Sequence, residues 1–419
     1  MAVQSPKGTR DILPWEVYKW QYVEKIIAEL CRNFGYGEIR TPVFEHTELF
    51  QKGVGDATDI VQKEMYTFLD KGGRSITLRP EGTAGIVRSY VEHGMANLAH
   101  PMKLYYIITA YRHENVQKGR YREFNQFGIE VFGAPGPSVD VEVISMADML
   151  FKRLGLKGIE LNINSLGCPA CRREYVQELK EFLTPLLENL CIDCRNRFER
   201  NPLRILDCKN EKCRQHLKDA PALLDNLCDE CKSHFDGLRE RLDNIGIGYY
   251  VDKNMVRGLD YYTRTVFEFI SPNVGAQATI CGGGRYDGLV GLFSDQDVPG
   301  IGFALGMERL LMEMENQGIE VPKPDGVDIF IAPIGKTADI FAEKLVYQLR
   351  NAGINAEKDV MGRSLKAQMK YADKIEAAYV VVIGDNEIES NKAVLRNMKT
   401  GEEKDVSLDS IVNRLKKTG

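Results

Sequence analysis

Residues 124–130 read Phe-Asn-Gln-Phe-Gly-Ile-Glu, and the pattern fits a strand with two unlike faces. On a strand, alternate side chains point the same way. Phe124, Gln126, Gly128 and Glu130 then share one face, and Asn125, Phe127, Ile129 and Val131 share the other. The second face is apolar enough to cover a core. The first lines up an amide and a carboxylate beside a glycine that leaves room, as a sheet floor would to hold a small polar ligand. A half-exposed strand with its polar side in water has the same alternation, so both readings stay open on pattern alone. The segment before it, 103–112, is also a strand by composition and ends on Arg112. Glu114 follows, then a loop with Gln117, Lys118, Gly119, Arg120 and Arg122. An arginine at a strand end beside a basic hairpin suits phosphate, because guanidinium offers a planar, two-pronged fork. A solvated turn reads the same way.

At 419 residues the chain should hold two or three domains. Residues 15–34 read as an amphipathic helix ending near Gly35, and 123–132 as the strand just described. Gly-Ala-Pro-Gly-Pro at 133–137 forces a turn. A helix follows, with Ile144, Ala147, Leu150 and Leu154 at helical spacing, then a strand at 158–164. Residues 168–245 change character to cysteines, charges and short helical stretches, and read as an insertion. Strands return at 247–252, 261–270 and 276–281. The run Gly282, Gly283, Gly284 comes next, then a strand-to-helix unit at 300–316. The pattern suggests an antiparallel sheet flanked by helices. Val-Pro-Lys-Pro-Asp-Gly at 321–326 is a linker by composition. Beyond it lies a βαβαβ-like pattern: a strand at 327–334, a helix at 337–351 with Phe341, Leu345 and Leu349 four apart, and a buried strand at 378–383. The domains are therefore 1–322, interrupted at about 168–245, and an α/β domain at 326–419.

Hydrophobic residues make up 43% of the chain, ample for packed cores. No apolar run approaches the ~20 residues that cross a membrane. The first residues, Met-Ala-Val-Gln-Ser-Pro-Lys-Gly, carry no signal-peptide core. A cytoplasmic protein is expected. A net charge of −5 argues against a bulk electrostatic nucleic-acid binder but leaves local basic contacts open. A Walker-type nucleotide loop is missing, since Gly282–Gly284 lacks the Lys-Ser/Thr that would follow.

Eight of the ten cysteines crowd into 168–231. Their spacings are Cys168-x2-Cys171, Cys191-x2-Cys194, Cys208-x4-Cys213 and Cys228-x2-Cys231. The first two pairs give a C-x2-C-x19-C-x2-C pattern that fits a tetrahedral zinc ribbon, and the last two a looser one. Two structural zinc ions are expected, with the pairing open. Free thiols are the alternative, and disulfides are disfavoured inside a cell. Cys31 and Cys281 stand apart and read as packing.

Five motifs, in order, resemble those of the histidyl-tRNA synthetases of bacterial type, within the class II aminoacyl-tRNA synthetases. Residues 111–130 resemble motif 2 of the class. Gly-Phe-Ala-Leu-Gly-Met-Glu-Arg at 302–309 resembles motif 3. Phe34-Gly-Tyr with Arg40-Thr-Pro42 resembles motif 1, whose proline sits at the dimer interface. Arg-Gly-Leu-Asp-Tyr-Tyr at 257–262 and Cys-Gly-Gly-Gly-Arg-Tyr-Asp-Gly at 281–288 resemble two signatures of the histidine enzymes. The resemblance implies a class II core, an antiparallel sheet flanked by helices with a small inserted domain, followed by an anticodon-binding domain of α/β type. It implies adenylation of L-histidine by ATP with Mg²⁺, transfer to tRNA(His), and a homodimer. Arg112 would grip the α-phosphate from one side and Arg257 from the other. Glu114 would meet the adenine amino group, between Phe124 and Arg309 on the ring faces. Glu81, Gly82, Thr83 and Gln126 would hold the α-ammonium of histidine. Glu130 and Tyr262 would bind the imidazole nitrogens, with Tyr261 lining the pocket. A pocket that hydrogen-bonds a polar ring rejects amino acids lacking one by roughly 10⁴-fold or more, which removes the need for editing. Gln117, Lys118 and Arg120 would meet the tRNA acceptor end.

Singly, these residues have plainer readings. Tyr261 and Tyr262 could pack, Arg257 could pair at the surface, and Glu81 could cap a helix beginning near Thr83. The competing whole-chain reading is a synthetase-like regulatory subunit that binds histidine without aminoacylation. Such paralogues lose the C-terminal domain and parts of these motifs, and this chain keeps both. The insertion thiols depart from the usual family pattern, so any zinc there would be structural.

Overall fold

The computed structural model describes residues 3–56, 58–208, 210–272 and 279–416. The chain divides into two compact units, Met1–Val321 and Pro322–Gly419. The first is built on an eight-stranded sheet. Its strands are β1 (Gly37–Glu38), β2 (Met102–Tyr111), β3 (Glu123–Phe132), β4 (Glu160–Ser165), β5 (Tyr250–Val251), β6 (Thr263–Ile270), β7 (Thr279–Arg285) and β8 (Gly300–Gly306). They lie in the order β1-β2-β3-β8-β7-β6-β4-β5. The six central strands run antiparallel, and the two-residue strands at the rims add on in parallel. The residue 276–278 part of one expected strand lies outside the described residues.

Alternation along β2 and β3 places a core on each side of the sheet. Phe127, Ile129 and Val131 of β3 join one cluster with Trp20, Val23, Ile27 and Leu30 of helix Val17–Asn33 and with Ile144, Ala147 and Leu150 of helix Pro137–Arg153. These helical residues recur three and four apart, so one stripe of each helix faces the sheet. Leu104, Tyr106 and Ile108 of β2 join a second cluster with Ile86, Val87 and Tyr90 of helix Thr83–Glu92. Burying aliphatic side chains of this size contributes about 1.5–3 kcal/mol each before entropy is counted.

The three glycines 282–284 lie inside β7 rather than after it. Tertiary packing explains the difference, as a Cβ on Gly283 would stand 2.2 Å from the Gly302 carbonyl oxygen. The cysteine-rich stretch is helical, with helices Pro169–Leu183, Ile192–Arg200 and Glu211–His216 around a core of Tyr175, Leu179, Leu183 and Ile205. The helix after it, Asp229–Asn244, instead lays Phe235, Leu238 and Leu242 into the main core.

The second unit holds β9 (Ile329–Pro333), β10 (Ala356–Lys358), β11 (Tyr379–Ile383), β12 (Lys392–Asn397) and β13 (Glu403–Ser407), in the order β10-β9-β11-β12-β13. The β9, β10 and β11 strands are parallel, and a hairpin of β12 and β13 completes the sheet. Helix Lys336–Asn351 buries Ala338, Ala342, Leu345 and Leu349 against it.

Candidate active site

The β2–β3 hairpin floors a cleft in the first unit. Glu81, Thr83, Gln126, Glu130, Tyr261 and Tyr262 all line it, as do Arg112, Glu114, Arg120, Phe124, Arg257 and Arg309. Their mutual contacts sort them into two groups.

The first group centres on Glu130, which is 1% exposed. Thr83 Oγ1 donates to its carboxylate at 2.7 Å and Tyr106 Oη at 3.3 Å, and Tyr286 Oη donates to its other oxygen. Burial pushes the Glu130 carboxyl up to about 8, against the hydrogen bonds from Tyr286 and Thr83 and with help from nearby Glu81. Glu81 is also raised by burial, although the Thr83 and Ala84 amides donate to it at 2.8 Å each. It thus caps helix Thr83–Glu92 while lining the cleft. Gln126 accepts from the Gly82 amide at 3.0 Å, which fixes the turn before that helix. Gly82 itself sits against Tyr106, where a Cβ would come within 2.3 Å of the ring.

Gly128 makes room, but the room is taken by Tyr106. The two residues face each other across the hairpin, and a Cβ on Gly128 would lie 2.3 Å from the tyrosine hydroxyl. Gly302 does the same for Glu130, whose carboxylate oxygen stands 2.1 Å from where a Cβ would be. Arg257 lies in the irregular segment before β6, pairs with Glu268 of β6, and holds its guanidinium carbon 5.6 Å from the Tyr262 ring. Its side chain is 17% exposed, so the pair is part of the cleft wall and not an open surface bridge.

The second group is cationic. Arg112 donates to the Pro80 carbonyl at 2.8 Å and sits 5.4 Å from the Phe124 ring. Glu114 lies 3.7 Å from Arg112 and 3.0 Å from Arg120. Arg309 donates to the Thr279 and Gly119 carbonyls at 2.9 and 3.2 Å. Burial lowers the Arg309 pKa, and the charge of Arg120 adds to the effect. Arg120 and Arg112 thus repel Arg309 across the cleft, and a polyanion would relieve that cost. Gln117 and Lys118 lie exposed at the hairpin tip, away from the cleft lining.

Known proteins bear on this arrangement. The family model described as histidyl-tRNA synthetase matches residues 8–182 and 195–310. The chain belongs to the histidyl-tRNA synthetase family. The model described as anticodon binding domain matches residues 328–418. The histidine–tRNA ligase of Acetivibrio thermocellus is 68% identical over 99% of this chain and 100% of its own. That of Thermoanaerobacter pseudethanolicus is 56% identical with the same coverage. The crystal structure of apo Staphylococcus aureus histidyl-tRNA synthetase superposes with a TM-score of 0.86 at 44% identity, covering 99% and 100% of the two chains.

Three residues in or behind this synthetase's cleft wall escaped sequence reasoning. Tyr106 and Tyr286 clasp Glu130, and Glu268 pairs with Arg257. Tyr106 stands opposite a glycine across a hairpin, a signal that needs the strand register to be seen. Within the 281–288 signature, Arg285 is fully buried. It meets Asp140 at 2.6 Å and donates to the Ala134 and Gly136 carbonyls. Burial raises the Asp140 carboxyl, but the His234 hydrogen bond and the Arg285 charge outweigh it, and its pKa lies below the usual value. The eight insertion thiols gather in two sets of four: Cys168, Cys171, Cys228 and Cys231, and Cys191, Cys194, Cys208 and Cys213. The sets are nested, not consecutive as chain order suggests.

Proposed function

We propose that this cleft activates L-histidine with MgATP and hands it to tRNA(His). A histidine carboxylate oxygen attacks the α-phosphorus, and the bond to the bridging oxygen of pyrophosphate breaks. A terminal ribose hydroxyl of the tRNA then attacks the activated carbonyl and AMP leaves. Negative charge concentrates on the α-phosphoryl oxygens in the first step. Arg112 and Arg257 serve as the catalytic residues, stabilising that charge from fixed positions. Pairing with Glu268 pre-aims Arg257 before substrate arrives. Phe124 and Arg309 take the adenine faces, and Glu114 takes its amino group. Glu81, Gly82, Thr83 and Gln126 hold the α-ammonium, and Glu130, Tyr261 and Tyr262 the imidazole.

The single observation behind this reading is that a cationic group and a buried, hydroxyl-clasped carboxylate line the same cleft. Gln117, Lys118 and Arg120 meet the acceptor end of the tRNA, and the second unit binds the anticodon. Val43, Phe44, Phe68 and Leu69 are exposed on or beside the small sheet of Phe44–His46, Ser75–Leu78 and Tyr66–Leu69, next to Pro42. Register places Phe44 and Phe68 on one face of that sheet, and such an apolar surface suits a homodimer face. No helix among the described residues is long and apolar enough to cross a membrane, in keeping with a cytoplasmic place of work. The eight thiols take structural zinc, which does no chemistry in the reaction.

ATP–pyrophosphate exchange with each of the twenty amino acids supplied separately tests the reading. Exchange with histidine alone is the expected result. Binding of histidine without exchange would instead favour the regulatory-subunit reading.

A further inference from the structure

The largest store of unused chemistry outside the cleft is the set of eight thiols beneath its wall. We infer that they bind two zinc ions in nested sets, one on Cys168, Cys171, Cys228 and Cys231 and one on Cys191, Cys194, Cys208 and Cys213. We infer further that these ions hold the histidine-pocket segment 257–262 in place.

Geometry carries the first part. A tetrahedral zinc with bonds of about 2.3 Å to sulfur separates its ligands by about 3.8 Å. Cys168 and Cys171 sulfurs lie 3.6 Å apart, and Cys191 and Cys208 sulfurs 3.8 Å. Within each set every sulfur lies within 4.8 Å of the others. All are free thiols. Five of the eight are buried, and four neutral thiols so packed have only weak hydrogen bonds to offer one another. Backbone amides already point at them, as at metal-bound thiolates: Cys228 N donates to Cys171 Sγ at 3.1 Å and Cys191 N to Cys213 Sγ at 3.2 Å. Cys168, Cys191 and Cys228 each stand at the position before a helix start, and Cys171, Cys194 and Cys231 lie in the first turns of those helices. The positive end of a helix favours the thiolate that zinc requires.

The second part follows from what flanks the thiols. Arg172 adjoins Cys171 and donates to the carbonyls of Asp260 and Tyr262. Asn201 and Arg204 lie between Cys194 and Cys208. Asn201 donates to the Asp260 side chain at 2.6 Å, and Arg204 to the Arg257 carbonyl at 3.1 Å. Segment 257–262 has no helix or strand of its own, so these side chains set its course. The segment carries Arg257, Tyr261 and Tyr262 into the cleft. This positioning claim rests on the ligase reading, whereas the metal sites do not.

Metal analysis of the full-length protein, purified under reducing conditions without chelator, should find two zinc per chain. X-ray absorption at the zinc edge should show sulfur ligands alone. Iron in place of zinc, eight freely reactive thiols without metal, or disulfides would each overturn the sites. Changing Cys168, Cys171, Cys228 and Cys231 together to Ser should leave one zinc. Loss of both would overturn the nested pairing. Should that variant not fold, stepwise chelation of the wild type followed by alkylation keeps the test open. The thiols should unmask in the two named sets, and unmasking in consecutive sets would overturn the pairing.

For positioning, Cys228→Ser should raise the KM for histidine roughly tenfold per titrated active site, in line with losses seen when ligand-supporting contacts are cut. Cys228→His should restore both zinc and KM. An unchanged KM in folded, zinc-depleted protein would overturn the positioning role. A wild type that holds two zinc ions but exchanges nothing would sink the ligase reading and leave the metal sites standing.

Discussion

At the scale of single residues, two side chains carry the proposed chemistry. Arg257→Ala removes a guanidinium already aimed by Glu268. Loss of one such fixed donor costs on the order of 10²–10³ in turnover, so histidine-dependent exchange should fall by that factor while the circular-dichroism spectrum stays unchanged. Near-normal exchange would refute the role. Glu130→Gln should weaken histidine selectively, by the roughly 0.5–1.5 kcal/mol of a hydrogen bond, with little change in KM for ATP. The same variant bears on stability. Glu130 holds its proton up to about pH 8 when folded but loses it near pH 4.3 when unfolded. Between those values the unfolded chain binds fewer protons, so this carboxyl makes stability fall as pH rises. Denaturant midpoints from pH 5 to 8 should therefore slope less in Glu130→Gln than in wild type.

At the scale of elements, the hairpin and its neighbours work because glycines stand where large side chains must pass. Gly302→Ala would bring a methyl within 2.1 Å of the Glu130 carboxylate and 2.2 Å of the Ile129 carbonyl. Neither can retreat within a paired strand, and overpacking of this kind costs about 1–3 kcal/mol. A lowered melting temperature together with a raised KM for histidine is expected. Alternation made strands β2 and β3 legible, because one face had to be apolar for a core on that side. The same alternation made the polar face of β3 a candidate floor. The strand expected from the sequence stops at 281, short of the glycines of β7, because their reason lies in strands and side chains distant in sequence. Hairpin β12–β13 and strand β10 went unread, being short and mixed in character.

At the scale of the whole molecule, every cleft residue belongs to Met1–Val321, and the second unit has its own cores. A fragment ending at Val321 should therefore keep histidine-dependent exchange while charging tRNA(His) far less well, as a filter-binding charging assay would read. For the proposed homodimer, Phe68→Asp, at 48% exposure on the small sheet, should shift the protein toward monomer in sedimentation. An unmoved sedimentation coefficient would count against this face.

The sequence by itself determined the periodic elements, the linker composition of 321–326 and the family, because spacing of apolar residues and of five polar motifs is local information. It also named most of the cleft, since those motifs carry their chemistry in their residue types. Only the tertiary structure decided that Tyr106 and Tyr286 clasp Glu130, that Glu268 aims Arg257, and that the thiols nest. Each of those pairings joins residues far apart in the chain, and strand register and helix packing, not composition, bring them within bonding distance.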